Sequence, residues 1–94
     1  MAEFGVHGVT SAEGGCIVIG RCYRGPLVRG ETFCRAKAVS EPDPRNGVTI
    51  HLTVERITAY KRLLDELDEG ITAELRLSGE GCEHLAAEMV LTTC

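Results

Sequence analysis

The sequence predicts an all-β protein, on three observations. Apolar residues recur with a period of two, most plainly in "VTIHLTVE", where Val48, Ile50, Leu52 and Val54 share one face. Runs of this kind are separated by glycine, proline and Asn-Gly signals. No segment joins helical spacing to the ~12 residues or more that an isolated helix needs. At 94 residues the chain is sized for one domain, expected over 1–94, with one modest core. Short strands in so small a domain form a sandwich or a barrel, and closure into a barrel removes the long sheet edges that invite aggregation.

Residues 6–9 make a short apolar start, and "TSAEGG" (10–15) is a loop by its small polar residues. A strand follows over 16–23, with Val18, Gly20 and Cys22 on one face and Ile17, Ile19 and Arg21 on the other. "RGPL" then reverses the chain, Pro26 presetting φ after Gly25, so a hairpin with the next strand, "ETFCRAKAV", is expected. Residues 40–47, "SEPDPRNG", carry two prolines and an Asn-Gly pair, the plainest loop signal in the chain. The strand from Val48 shifts phase after Val54 to Ile57 and Tyr60, as across a β-bulge. "KRLLDELDEG" has leucines at helical spacing and stops at Gly70, with room for one helical turn. "ITAELRLSG" resumes the alternation through Ile71, Ala73, Leu75 and Leu77. The closing "EHLAAEMVLTTC" reads either as a short helical turn or as a last strand at Met89 to Thr93.

Composition and spacing exclude several chemistries. Glycines five apart in "GRCYRG" and "GPLVRG" lack the lysine and hydroxyl that follow the glycines of a phosphate loop, and their spacing is not that of a dinucleotide fingerprint. His7, His51 and His84 share no local signature with any cysteine or serine that would mark a nucleophile and its base. The acidic run "DELDEG" (Asp65, Glu66, Asp68, Glu69) lacks the alternating oxygen ligands of a calcium loop. Neither an enzyme activity nor a metal or cofactor is expected, and no apolar run approaches the ~20 residues of a membrane span.

Five cysteines (Cys16, Cys22, Cys34, Cys82, Cys94) contain no C-x-x-C pair, and their odd number leaves at least one thiol unpaired. With no signal peptide ahead of them a reducing cytoplasm is the expected compartment, where most of them should pack as small apolar side chains. The net charge of −4 argues against indiscriminate nucleic-acid binding, yet it is unevenly spread. Residues 1–47 net +1 and residues 48–94 net −5.

The stretch "GCIVIGRCYRGPLVRGETF" resembles the opening of domain 2 of the translational GTPases, elongation factor Tu in particular, where a glycine-framed strand, a turn and a Gly-acid step occur in this order. "ERITAYKRLLDELDEGITAELRLSG", with Tyr60, Gly70 and Gly79, is similar to the second half of that domain, and "LAAEMVL" to its end. The resemblance spans nearly the whole chain and implies a closed six-stranded Greek-key-like β-barrel, without the GTPase domain that precedes it in the family. Within such a barrel Gly20 is expected to give space inside a crowded strand, and Gly25 and Gly30 to frame a hairpin.

Domain 2 of the elongation factor helps hold the terminal adenosine of aminoacyl-tRNA. By resemblance, Ile17 matches its apolar pocket residue, Lys61 its arginine after the aromatic, and Thr58 its acidic residue two before that aromatic. Gly14, Ser78 and Glu88 stand where the family has arginine, arginine and glycine. The expectation is a non-enzymatic binding module whose partner is a protein or the acceptor end of a tRNA, with a second copy of the chain a further candidate. The alternative is a regulatory or immunity-type protein that meets a basic partner through Asp65, Glu66 and their acidic neighbours.

Overall fold

The computed structural model describes residues 1–43 and 46–94, so Pro44 and Arg45 of the expected 40–47 loop lie outside the described residues. Among the described residues nine strands are formed: β1 (Glu3–Ala12), β2 (Gly15–Arg24), β3 (Leu27–Val28), β4 (Thr32–Ala38), β5 (Val48–Ala59), β6 (Arg62–Leu64), β7 (Glu66–Leu67), β8 (Thr72–Glu80) and β9 (Met89–Thr93). Between β8 and β9, Cys82–His84 make a single 3-10 turn.

Six of these strands close on themselves. The order β4-β9-β1-β2-β8-β5 is completed by a β4–β5 pairing, so every long strand has two antiparallel neighbours and the barrel has no open edge. Alternation places Phe4, Val6, Val18, Cys22, Phe33, Leu52, Val54, Leu75, Leu77 and Leu91 inside, each at most 1% exposed. Both phenylalanines are fully buried and both tyrosines lie outside, so the core is aliphatic around two rings.

The period-two faces read from β2, β5 and β8 are those observed, and the phase change in β5 is a register shift between Val54 and Arg56 against β8. Past that shift Ile57 is buried but Tyr60 is not. Three expectations are overturned. The partner of β2 is not the strand after "RGPL" but β1, ten residues long and joined to β2 through a two-residue turn, Glu13-Gly14, in place of a six-residue loop. The chain after Pro26 instead forms β3, which pairs with β7 as a separate two-stranded ribbon. "KRLLDEL" holds no helical turn, since its leucines are divided between β6 and β7.

The ribbon and the 3-10 turn cover opposite ends of the barrel. Leu27 and Leu67 face each other across β3–β7, both fully buried, and the Cys22 thiol donates to the carbonyls of Arg24 and Leu67. Burial, reinforced by the nearby Glu69 carboxylate, pushes this thiol above its ordinary range. Cys16 lies six residues back along β2, about 20 Å away, and is bonded to Cys82 of the 3-10 turn. A second pair, Cys34–Cys94, joins β4 to the residue after β9. Four cysteines therefore pair where small apolar packing was expected, because the chain's path sets Cys16 and Cys82 at 6.1 Å and Cys34 and Cys94 at 5.3 Å between Cα atoms, within disulfide reach.

Candidate binding surface

Strands β2, β8, β5 and β6 lie side by side, and their registers fix which outward side chains meet. Ile17 stands opposite Arg76, and Arg76 opposite Arg56. In the next row Ile19 faces Glu74, Glu74 faces Thr58, and Thr58 faces Leu63. Inward residues of the same strands are core, so these point outward. Ile17 and Thr58, chosen from sequence, are thus brought onto one outer face two strands apart, roughly 10 Å.

The face ends in a protruding hairpin. Strand β5 runs on past the barrel wall into β6 through a turn of two residues, Tyr60 and Lys61, flanked by the Ala59–Arg62 pair. Both have left-handed backbones, φ 53° and 61°, the geometry of a type I′ turn that ordinarily selects Asn-Gly. A tyrosine and a lysine pay about 1 kcal/mol or more each for that conformation. Tyr60 is 78% exposed and Leu63 72%, so no packing inside the chain offsets the cost. Changing the pair to the turn's preferred residues, Tyr60→Asn with Lys61→Gly, is expected to raise stability by about 1 kcal/mol in chemical denaturation, while removing the exposed ring and charge.

The charge of this face is unlike that of the chain around it. Arg56, Lys61 and Arg76, three of the four Lys and Arg of the acidic second half, sit on β5, at its turn and at the facing position of β8, while the fourth, Arg62, lies opposite buried Ala59 on the other side of the hairpin. Two arginines directly opposite on an antiparallel pair repel each other. Among the described residues no carboxylate pairs with either: Arg76 donates to the Glu13 carbonyl at 3.1 Å, and Glu55 accepts instead from the Ser78 hydroxyl. Exposed apolar side chains interleaved with cations that outnumber the one carboxylate of these rows, Glu74, suit a ligand that is both anionic and flat-faced.

The remaining sequence-chosen residues lie elsewhere. Asp65 is paired with Arg29 at 3.2 Å, and Glu66 is on β7 opposite Val28. Glu69 accepts from the Gly25 backbone at 3.3 Å. The acidic run is therefore partly engaged in holding the β3–β7 ribbon. Gly25 precedes Pro26 through a cis peptide, Gly30 donates to the Val54 carbonyl at 2.8 Å, and the Gly70 carbonyl accepts from Arg21 Nε at 3.1 Å. In β2 and β8, a Cβ at Gly20 would stand 1.9 Å from the Gly5 carbonyl oxygen, and one at Gly79 2.2 Å from that of His51. Sequence reading missed Arg56 and Arg76, whose opposition depends on a register no local pattern reveals. Among the described residues no cluster of His, Cys, Asp or Glu is placed to hold a metal ion, and no helix is long and apolar enough to cross a membrane.

The barrel is similar to the crystal structure of translation elongation factor SelB from Methanococcus maripaludis in its apo form, with a TM-score of 0.75 and 14% identity, over 97% of this chain and 18% of the elongation factor. The fold is a closed six-stranded antiparallel barrel, like a domain 2 barrel of the translation factors. At 14% identity the likeness is one of fold. No protein-family model and no curated protein matches the chain.

Proposed function

We propose that this barrel is a non-enzymatic binding module linked to translation, and that it takes an unpaired RNA end on the outer face of β2, β8, β5 and β6. The observation that carries the reading is the pairing of Arg56 with Arg76 beside exposed apolar residues in an otherwise acidic half-chain. Phosphates would be held by Arg56, Arg76 and Lys61, and a base would stack on Tyr60 or rest on Ile17 and Ile19. Thr58, between Glu74 and Leu63 in the row of Ile19, offers a hydroxyl to a ribose or base edge. Net charge does not oppose this, because binding answers to the local field of the face and the far side of the barrel is screened within about 10 Å at 0.1 M salt.

A protein partner met through Asp65 and Glu66 is the weaker reading, since the first is ion-paired and the second lies in the β3–β7 ribbon. The test is fluorescence-anisotropy titration of a minihelix RNA with an unpaired 3′ end, over a range of salt. Saturable binding that weakens with salt, and is lost when the end is made double-stranded, is expected. Absence of binding at 50 mM salt overturns the RNA reading, and equal binding to blunt duplex overturns the end-binding part of it.

A further inference from the structure

The two disulfides differ in what their opening would leave behind. Cys16 is 1% exposed and sits in the core against Val18 and Leu77, and its partner Cys82 packs on the same core. Cys94 is exposed and Cys34 half-buried, and the pair lines a surface concavity together with Arg35, Lys37 and Glu3. Cys34 also occupies the one irregular point of β4, the residue skipped by both neighbouring ladders, where register shifts between Phe33 and Arg35 against β5 and against β9. No ladder partner holds it there, and the bond to Cys94 spans the gap, beside a hydrogen bond from the Cys94 amide to the Thr32 carbonyl at 3.2 Å.

We propose that Cys34–Cys94 is a redox-addressed bond, opened and closed by small thiols while Cys16–Cys82 stays shut, and that its state sets how firmly β9 is held to β4. In the opening step the thiolate of a low-molecular-weight thiol such as glutathione attacks Sγ of Cys94. A mixed disulfide forms at Cys94, the protein S–S bond breaks, and its electron pair leaves on Cys34, which takes a proton from water. A second thiolate attacks the mixed disulfide at the glutathione sulfur and releases Cys94. Two thiols become one glutathione disulfide and one protein disulfide becomes two thiols, a two-electron exchange that runs backwards in excess glutathione disulfide. The Arg35 and Lys37 charges offset the Glu3 carboxylate of the same concavity, so charge does not bar the anionic attacker, and the exposure of Cys94 gives it access. The same attack at half-buried Cys82 would have to expel a thiolate into the apolar core, where desolvation disfavours the charge. Cys22 does not compete, because it is buried at the other end of the barrel as a protonated thiol.

The experiment is a titration of the folded protein with glutathione redox buffers, followed by alkylation and peptide mass spectrometry, with backbone hydrogen exchange at each end point. Cys34 and Cys94 are expected to become labelled at a thiol concentration at least tenfold below that which labels Cys16 and Cys82, with exchange in β4 and β9 rising several-fold and that in β2 and β8 unchanged. Both pairs opening together, Cys16–Cys82 opening first, or labelling of Cys34 without reductant would overturn the redox assignment. Unchanged exchange in β4 and β9 after selective reduction would overturn its structural consequence. A Cys34→Ser, Cys94→Ser protein should show the fast exchange at every buffer composition, and slow exchange there would count against the proposal equally.

Discussion

Replacing Gly20 by valine is expected to lower the melting temperature by about 12–24 °C, the largest effect of any single change considered. A Cβ at this position would meet the Gly5 carbonyl oxygen at 1.9 Å, its carbon at 2.9 Å and the Phe4 ring at 2.9 Å. A flexible side chain could turn aside, but the Gly5 carbonyl belongs to the β1 backbone beside β2, immediately before Val6, the residue that pairs with Gly20. Moving it breaks the ladder that holds β1 and β2 together, so the cost exceeds an ordinary overpacked core and reaches about 3 kcal/mol or more. A domain of this size has about 5–15 kcal/mol in all, and each kcal/mol moves the midpoint by about 4–8 °C. Gly8→Ala in β1 is the control: nothing lies within 4 Å of its Cβ, and its stability should stay within about 0.5 kcal/mol of the parent. Equal midpoints for Gly20→Val and the parent would contradict the packing described for β1 and β2.

Arg56→Glu is expected to separate stability from binding. In the parent, Arg56 faces Arg76 across β5–β8, a like-charge pair that costs the fold a few tenths of a kcal/mol. Glutamate at position 56 converts repulsion into a cross-strand ion pair, so thermal or urea denaturation should show the variant as stable as the parent or up to about 1 kcal/mol more stable. The same change removes one phosphate partner, neutralises a second and adds a repelling carboxylate. RNA affinity should fall about tenfold or more at 0.1 M salt, with a shallower salt dependence. Lower stability with unchanged affinity would reverse the assignment and make Arg56 a structural residue.

Much of the barrel could be read from the chain because burial has a period. The inward rows Val18-Gly20-Cys22 and Ile50-Leu52-Val54 follow from alternation, and a phase change after Val54 marks the β5 bulge because one inserted residue inverts every later side chain. Pairing was less legible. "RGPL" announces a change of direction, but turn chemistry does not say which strand the chain returns to, and here it returns to β7, some forty residues on. The β1–β2 turn was hidden for the opposite reason: two residues suffice, while small polar neighbours in "TSAEGG" read as a longer loop.

The binding face shows the same division. Ile17 and Thr58 came from ordered motifs that resemble a known family, and Tyr60 was assigned to an apolar phase although it forms an exposed turn. Its conformation is one that Asn-Gly would have announced and Tyr-Lys conceals. Arg56 and Arg76 are twenty residues apart on two strands whose mutual register depends on the bulge between Val54 and Arg56. The two disulfides, 66 and 60 residues apart in sequence, are equally beyond any local pattern, since spacing alone leaves their connectivity open.

The most direct test of RNA-end binding is a nuclear magnetic resonance titration of isotope-labelled protein with the minihelix RNA, read residue by residue. Saturable amide shifts are expected at Ile17, Ile19, Arg56, Thr58, Tyr60, Lys61, Leu63 and Arg76, with residues 65–69 unmoved. Shifts centred on Asp65, Glu66, Asp68 and Glu69, or no saturable shifts at all, would contradict it.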